Sequence, residues 1–229
     1  MKTLRSVLFF TATLLLYLGV PLLGWGLGDL VGFFSVAPRM GYGIAVCLFS
    51  LAVGIQAFGS TEGIRGGKGE ATKFVFRQRV VRIVLVLFLY LALIMIPYFE
   101  RHQVAVLSIP PFILWLGVIL SAIGFGLIFL SGLALGRQYS ADVTIQKDHQ
   151  LVTYGIYRFL RHPRYIGIIN LAAGLSLVFR SGIGLIACPI IVAALIFRIR
   201  DEEIAMHKEF GSAWEAYCRA SWRLIPYLY

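Results

Sequence analysis

Charge is scarce in this sequence. Of its 229 residues only 14% are Asp, Glu, Lys or Arg, where a soluble domain carries roughly a quarter. Acidic residues are scarcer still, 11 against 21 basic ones, which leaves a formal net charge of +10. Cysteine is limited to Cys47 and Cys188 within apolar runs and Cys218 near the C-terminus, with no CxxC pair. That argues against a disulfide framework or a zinc site, and no metal is expected. No GxGxxG follows a strand-like pattern, which excludes a Rossmann crevice. There is no repeat, no low-complexity block, and no strand-rich stretch large enough to bury its own core.

Apolar residues are plentiful instead, at 59%. They gather in runs at 7–23, 43–58, 83–96, 112–135, 166–179 and 183–197, most of them near the ~20 residues that a spanning helix needs. The expectation is an all-α, polytopic integral membrane protein with about six transmembrane helices. Lys2 and Arg5 precede the first run, as in a signal peptide. The run exceeds the usual signal core of roughly 7–15 residues, so it is expected to remain as the first span.

The excess of positive charge would suggest nucleic acid in a soluble protein, but its placement indicates a bilayer. With six spans and an inside N-terminus, only Arg39, Arg101 and Arg180 of the 21 basic residues fall outside. The positive-inside rule then puts both termini on the cytoplasmic side. Membrane lipids, not nucleic acid, are the expected partners of the remaining basic residues.

The glycine-rich 59–73 segment reads as a cytoplasmic loop. It suggests a division into 1–78, the first spans and a basic loop, and 79–229, a core with a functional region over 135–226. Pro163 disfavours helix at His162, so the amphiphilic 135–165 stretch should turn there and the next span should begin. Residues 180–182 join the last two spans. Beyond them Ile204, His207, Phe210, Trp214 and Tyr217 recur at three- and four-residue steps. The expectation is one apolar stripe on an amphipathic cytoplasmic C-terminal helix, docked on the other cytoplasmic segments.

Chemistry concentrates in the last third. "YRFLRHPRYIG", 157–167, crowds basic and aromatic residues against a span. Arg198 and Glu202 stand four apart on one helical face, while Glu203 lies about 140° round from Arg198 and should matter much less. An ion pair of this kind contributes only a few tenths of a kcal/mol. Arg198, however, stands in the last turn of an apolar run, where charge is expensive unless used. An interfacial histidine such as His162, or tyrosines such as Tyr157 and Tyr165, would singly suit packing or an aromatic belt.

Together these residues form three ordered motifs: G-x-Y-x3-R-H-P-x-Y at 155–165, R-x3-E-E at 198–203 and F-G-x2-W-x2-Y at 210–217. The set resembles the isoprenylcysteine carboxyl methyltransferase family, which shares the pattern with membrane phospholipid N-methyltransferases. The resemblance covers about residues 133–226. It implies a membrane enzyme that uses S-adenosyl-L-methionine on the cytoplasmic side while a lipophilic acceptor enters from the bilayer. Residue by residue it implies a cofactor loop at His149, Gln150, Leu151 and Val152, and a cofactor-contacting Tyr157. It also implies an enclosing stretch His162, Pro163, Arg164 and Tyr165, a cofactor-binding Glu202, and Arg198 against the acceptor.

Those roles are chemically sensible. A sulphonium and an ammonium suit carboxylate and aromatic partners. A carboxylate acceptor is already nucleophilic, so the site must align atoms and exclude water without a strong base. The forked donors of Arg198 suit a carboxylate or a phosphate alike. Carboxyl O-methylation is therefore weighed beside phospholipid N-methylation, thiol S-methylation and, on a similar C-terminal pattern, an NADPH-dependent sterol-reductase-like activity.

Overall fold

In the computed structural model, residues 2–59, 73–136 and 150–226 are described, with the side chains of 73–79 and 82 left aside. The described chain is helical. It runs α1 (Lys2–Leu14), a π turn (Leu15–Gly19), α2 (Val20–Trp25), α3 (Leu30–Phe34), α4 (Ala37–Gly59) and α5 (Lys73–Arg101). Then follow α6 (Pro111–Leu135), a 3-10 turn (Gly155–Arg158), α7 (Pro163–Val178), α8 (Gly182–Phe210) and α9 (Ser212–Ala220). Five helices are long and apolar enough to cross a membrane: Lys2–Trp25, Ala37–Gly59, Ile83–Arg101, Pro111–Leu135 and Gly182–Phe210. Together with the shorter apolar α7 they account for the six expected runs and make this a multi-pass membrane protein.

Local chemistry sets the boundaries. Pro163 is the first residue of α7, where its missing N–H costs nothing, and His162 before it is non-helical with φ −128° and ψ 54°. Ser181 caps α8 by accepting from the Gly184 N–H at 3.0 Å. The C-terminal helix is not continuous. Gly211 adopts φ +50° and ends α8, so α9 leaves at a new angle. The expected single stripe is broken there: Ile204 is 57% exposed, while Trp214 and Tyr217 beyond the turn are buried.

Among the described residues the most extensive helix contact is between α6 and α7. A Cβ on Gly124 would come within 2.7 Å of the Gly167 carbonyl oxygen, and one on Gly117 within 2.8 Å of that of Gly174. Two glycine pairs seven residues apart thus let antiparallel backbones touch, as small residues do where helices associate in lipid. The neighbours are backbone atoms and cannot swing aside. Gly124→Ala is therefore expected to cost on the order of 2 kcal/mol by overpacking. In thermal unfolding of the detergent-solubilised protein the Tm should fall by about 4–8 °C. Gly126→Ala, whose Cβ would meet nothing within 4 Å, should leave it level or higher.

An aromatic cluster joins the N-terminal helices to the rest. Phe33, Tyr42 and Val46 are buried with Leu93, Phe125, Leu171 and Phe179. The three arginines outside the sequence-derived cytoplasmic set meet at one end of this bundle. Arg180 Nε donates to Glu100 Oε1 at 2.8 Å, Arg39 lies 3.7 Å from Glu100 Oε2, and Arg101 pairs with Asp29. Arg39 also stands 4.4 Å over the Trp25 ring. The 16 residues of α7 put that end about 24 Å from the helix's first turn.

Candidate active site

At the opposite end, the start of α7 and the lower half of α8 face one another across a cavity of about 740 Å³. Its polar end holds Gln150, Tyr157, His162, Arg164, Tyr165, Arg198 and Glu202, with Trp214 and Tyr217 brought in from α9. From there it continues between α5, α7 and α8 along Phe88, Leu89, Ala92, Met95, Leu175 and Ile191 as far as Gly184. Arg198 and Gly184 are fourteen residues apart on α8, so the cavity follows about 21 Å of helix. One end can hold a charged group and the other a long apolar one, in a volume ordinary for a small-molecule site.

Arg198, Glu202 and Tyr165 form a closed set. Arg198 Nε donates to Tyr165 Oη at 2.6 Å and to Glu202 Oε1 at 3.0 Å. The Tyr165 hydroxyl donates to the same Glu202 oxygen. Glu202 Oε2 lies 3.7 Å from His162 Nδ1, and the His162 and Tyr165 rings stack with centroids 5.7 Å apart. The (i, i+4) pair is thus more than a surface ion pair: Arg198 is only 8% exposed, and a guanidinium so placed needs its carboxylate. Tyr165 ties the pair to α7, which the glycine seam in turn fixes against α6.

The α9 side is equally specified. Tyr217 Oη donates to the Tyr157 carbonyl at 2.7 Å. Burial pushes the Tyr217 phenol up to about 12, against the pull of Arg161. Burial likewise raises Tyr157 above its ordinary value. Both phenols therefore stay neutral near pH 7, and Tyr217 acts as a donor, not as a base.

The structure brings most of the residues named from the sequence to one cavity. Gln150, Leu151, Val152, Tyr157, His162, Arg164, Tyr165, Arg198 and Glu202 all line the cavity. Pro163 instead sits buried in the first turn of α7 and sets the path of the chain. His149 lies outside the described residues. Glu203, expected to matter little, is buried and binds three partners: Arg161 at 3.1 Å, His162 at 3.2 Å, and Arg223. The α5 wall, Trp214 and Tyr217 were not singled out as site residues. For α9 the F-G-x2-W-x2-Y motif held a signal, whereas α5 offers only uniform apolarity.

Residues 114–208 match the model of the isoprenylcysteine carboxyl methyltransferase (ICMT) family. The matched segment contains the α6–α7 seam and the Arg198–Glu202–Tyr165 set. Over that segment the chain is similar to the ICMT family. A protein of Oryza sativa subsp. indica named "Probable protein-S-isoprenylcysteine O-methyltransferase" is 26% identical over 120 residues, 51% of this chain and 63% of that protein. The protein-S-isoprenylcysteine O-methyltransferase of Schizosaccharomyces pombe is 32% identical over 85 residues, 36% of each chain. The Delta(14)-sterol reductase TM7SF2 of Mus musculus is 36% identical over 84 residues, 35% of this chain but 20% of the reductase. The chain spans less than two thirds of the length of these curated relatives.

The polar end also suits the cofactor of ICMT methyltransferases, S-adenosylmethionine. A carboxylate, two buried phenols, an imidazole and an indole converge there, and a sulphonium with an ammonium seeks such carboxylate and aromatic partners.

Proposed function

We propose that this protein is an integral membrane methyltransferase that joins S-adenosylmethionine to a lipophilic carboxylate of the isoprenylcysteine kind. The observation that carries the reading is one continuous cavity, polar at Glu202 and apolar along α5. S-adenosylmethionine supplies an electrophilic methyl group when bound. Glu202 would meet its ammonium, Tyr157, His162 and Trp214 would wall the adenosyl and sulphonium parts, and Gln150 to Val152, with His149 before them, would close the loop side.

Arg198 would orient the acceptor's carboxylate. Its Nε is fixed by Tyr165 and Glu202, so the guanidinium plane is set before substrate arrives. The α5 wall would take the hydrocarbon chain and keep water from the reacting end. No proton has to be removed from a carboxylate, in keeping with two phenols held neutral by burial.

On this reading residues 79–229 form the methyltransferase core and 1–78 its membrane-embedded support. The site and both termini face the cytoplasm. The skew of basic residues supports that orientation, as does the grouping of Arg39, Arg101 and Arg180 at the end away from the site.

The test is a radiolabelled methyl-transfer assay on the purified full chain with N-acetyl-farnesylcysteine, phosphatidylethanolamine and a lipophilic thiol as parallel acceptors. Base-labile label in the farnesylcysteine arm is expected. Label only in the lipid or thiol arm would move the acceptor class. NADPH binding with no adenosyl binding would replace the reading by a reductase.

A further inference from the structure

Neighbouring carboxylates on α8 do different things. Glu202 lines the cavity, whereas Glu203 lies behind its wall, buried at 9% exposure. There Glu203 Oε1 meets Arg161 Nε at 3.1 Å and His162 Nε2 at 3.2 Å, and its other oxygen pairs with Arg223. Arg161 comes from the loop before α7 and Arg223 from the segment after α9. One carboxylate thus joins two chain segments sixty residues apart.

The same segments pair through their backbones. The Arg161 N–H donates to the Trp222 carbonyl at 2.8 Å, the Trp222 N–H to Phe159 at 2.9 Å, and the His162 N–H to Arg223 at 3.2 Å. Arg161 adds bonds to the Cys218 carbonyl at 3.1 Å and to the Ser221 carbonyl. Between this seam and Gly211 lies α9, whose Trp214 and Tyr217 form the wall of the polar end.

We propose that Glu203 is a positioning residue, a latch that holds α9 over the polar end and thereby sets how tightly and how long the cofactor is held. The proposal rests on the methyltransferase reading for the identity of that ligand; the latch itself does not. The physical reason is charge. Two guanidiniums drawn to one site stay together only while a carboxylate lies between them. Glu203→Gln keeps the shape and removes that charge, so the Arg161 and Arg223 segments should part, and α9 should loosen with them.

The experiment uses the full chain in detergent, with hydrogen exchange and S-adenosylhomocysteine binding measured on the same samples. In Glu203→Gln the amides of Arg161, His162 and Trp222 should exchange at least tenfold faster, with α6 and α7 unchanged. Dissociation of S-adenosylhomocysteine should accelerate and its Kd rise about tenfold, while kcat at saturating cofactor stays within about threefold. Glu215→Gln, on the outer side of α9 in an exposed pair with His207, should change none of these.

Wild-type protection at the three amides in folded Glu203→Gln would overturn the latch. So would faster exchange spread evenly over the bundle with Kd unchanged, which marks a general stability effect. If Glu203→Gln does not fold, Arg223→Gln takes the same measurements. It should shift them in the same direction by about threefold, and no shift would equally sink the proposal. If the wild type binds no S-adenosylhomocysteine, the methyltransferase reading fails, and exchange at the three amides still decides the latch.

Discussion

Glu202→Ala is expected to remove nearly all cofactor binding. Glu202 is the one acidic group among the described residues lining the cavity, so its loss would leave the cofactor's ammonium without that charged partner. Breaking a buried, hydrogen-bonded charge pair on one side costs about 3–5 kcal/mol, a Kd some hundredfold higher or more. The variant also strips Arg198 and Tyr165 of their shared acceptor, so the resting protein should melt several degrees lower. Calorimetric titration with S-adenosylhomocysteine, beside a melting curve of the same sample, separates the two effects. A Kd within threefold of wild type would remove Glu202 from the cofactor site.

The second large effect concerns Arg198. Arg198→Lys keeps the charge but loses the flat, forked donor set. Methyl transfer should fall about tenfold, roughly 1.4 kcal/mol of lost alignment, and Arg198→Ala should fall about a hundredfold. Because Arg198 Nε also steadies Glu202, some loss of cofactor affinity should accompany both. Tyr165 still holds the carboxylate, so that loss should stay smaller than the loss in rate. Initial rates and cofactor binding on the same preparations decide the matter. Full turnover in Arg198→Ala would take the acceptor away from this residue.

The six apolar runs were legible because a bilayer imposes its length on the sequence directly. The start of α7 was legible because proline acts on the residue beside it. The pairing of Arg198 with Glu202 was legible because four residues along a helix make one face. The same rule turned Glu203 away from Arg198 and was silent on its partners. Helical phase tells which way a side chain leaves its own axis, and not that Arg161 and Arg223 wait on that side. The 159–162 and 221–223 pairing is invisible for a related reason: it depends on two segments meeting across sixty residues, with no strand-like run in either. The α5 wall was unreadable because lipid and a lipid-shaped cavity select the same residues. Gly211 was readable and passed over, since a glycine after a basic last turn is an ordinary place for a helix to stop.

At about 24 Å, α7 falls short of the roughly 30 Å of hydrocarbon in an average bilayer, while α8 beside it has 29 residues. None of the 16 residues of α7 is exposed, so neighbouring helices, not lipid, cover most of it. The longer helices beside it carry the fit to the bilayer, and a short helix screened in this way lets a polar site lie within the depth of its neighbours.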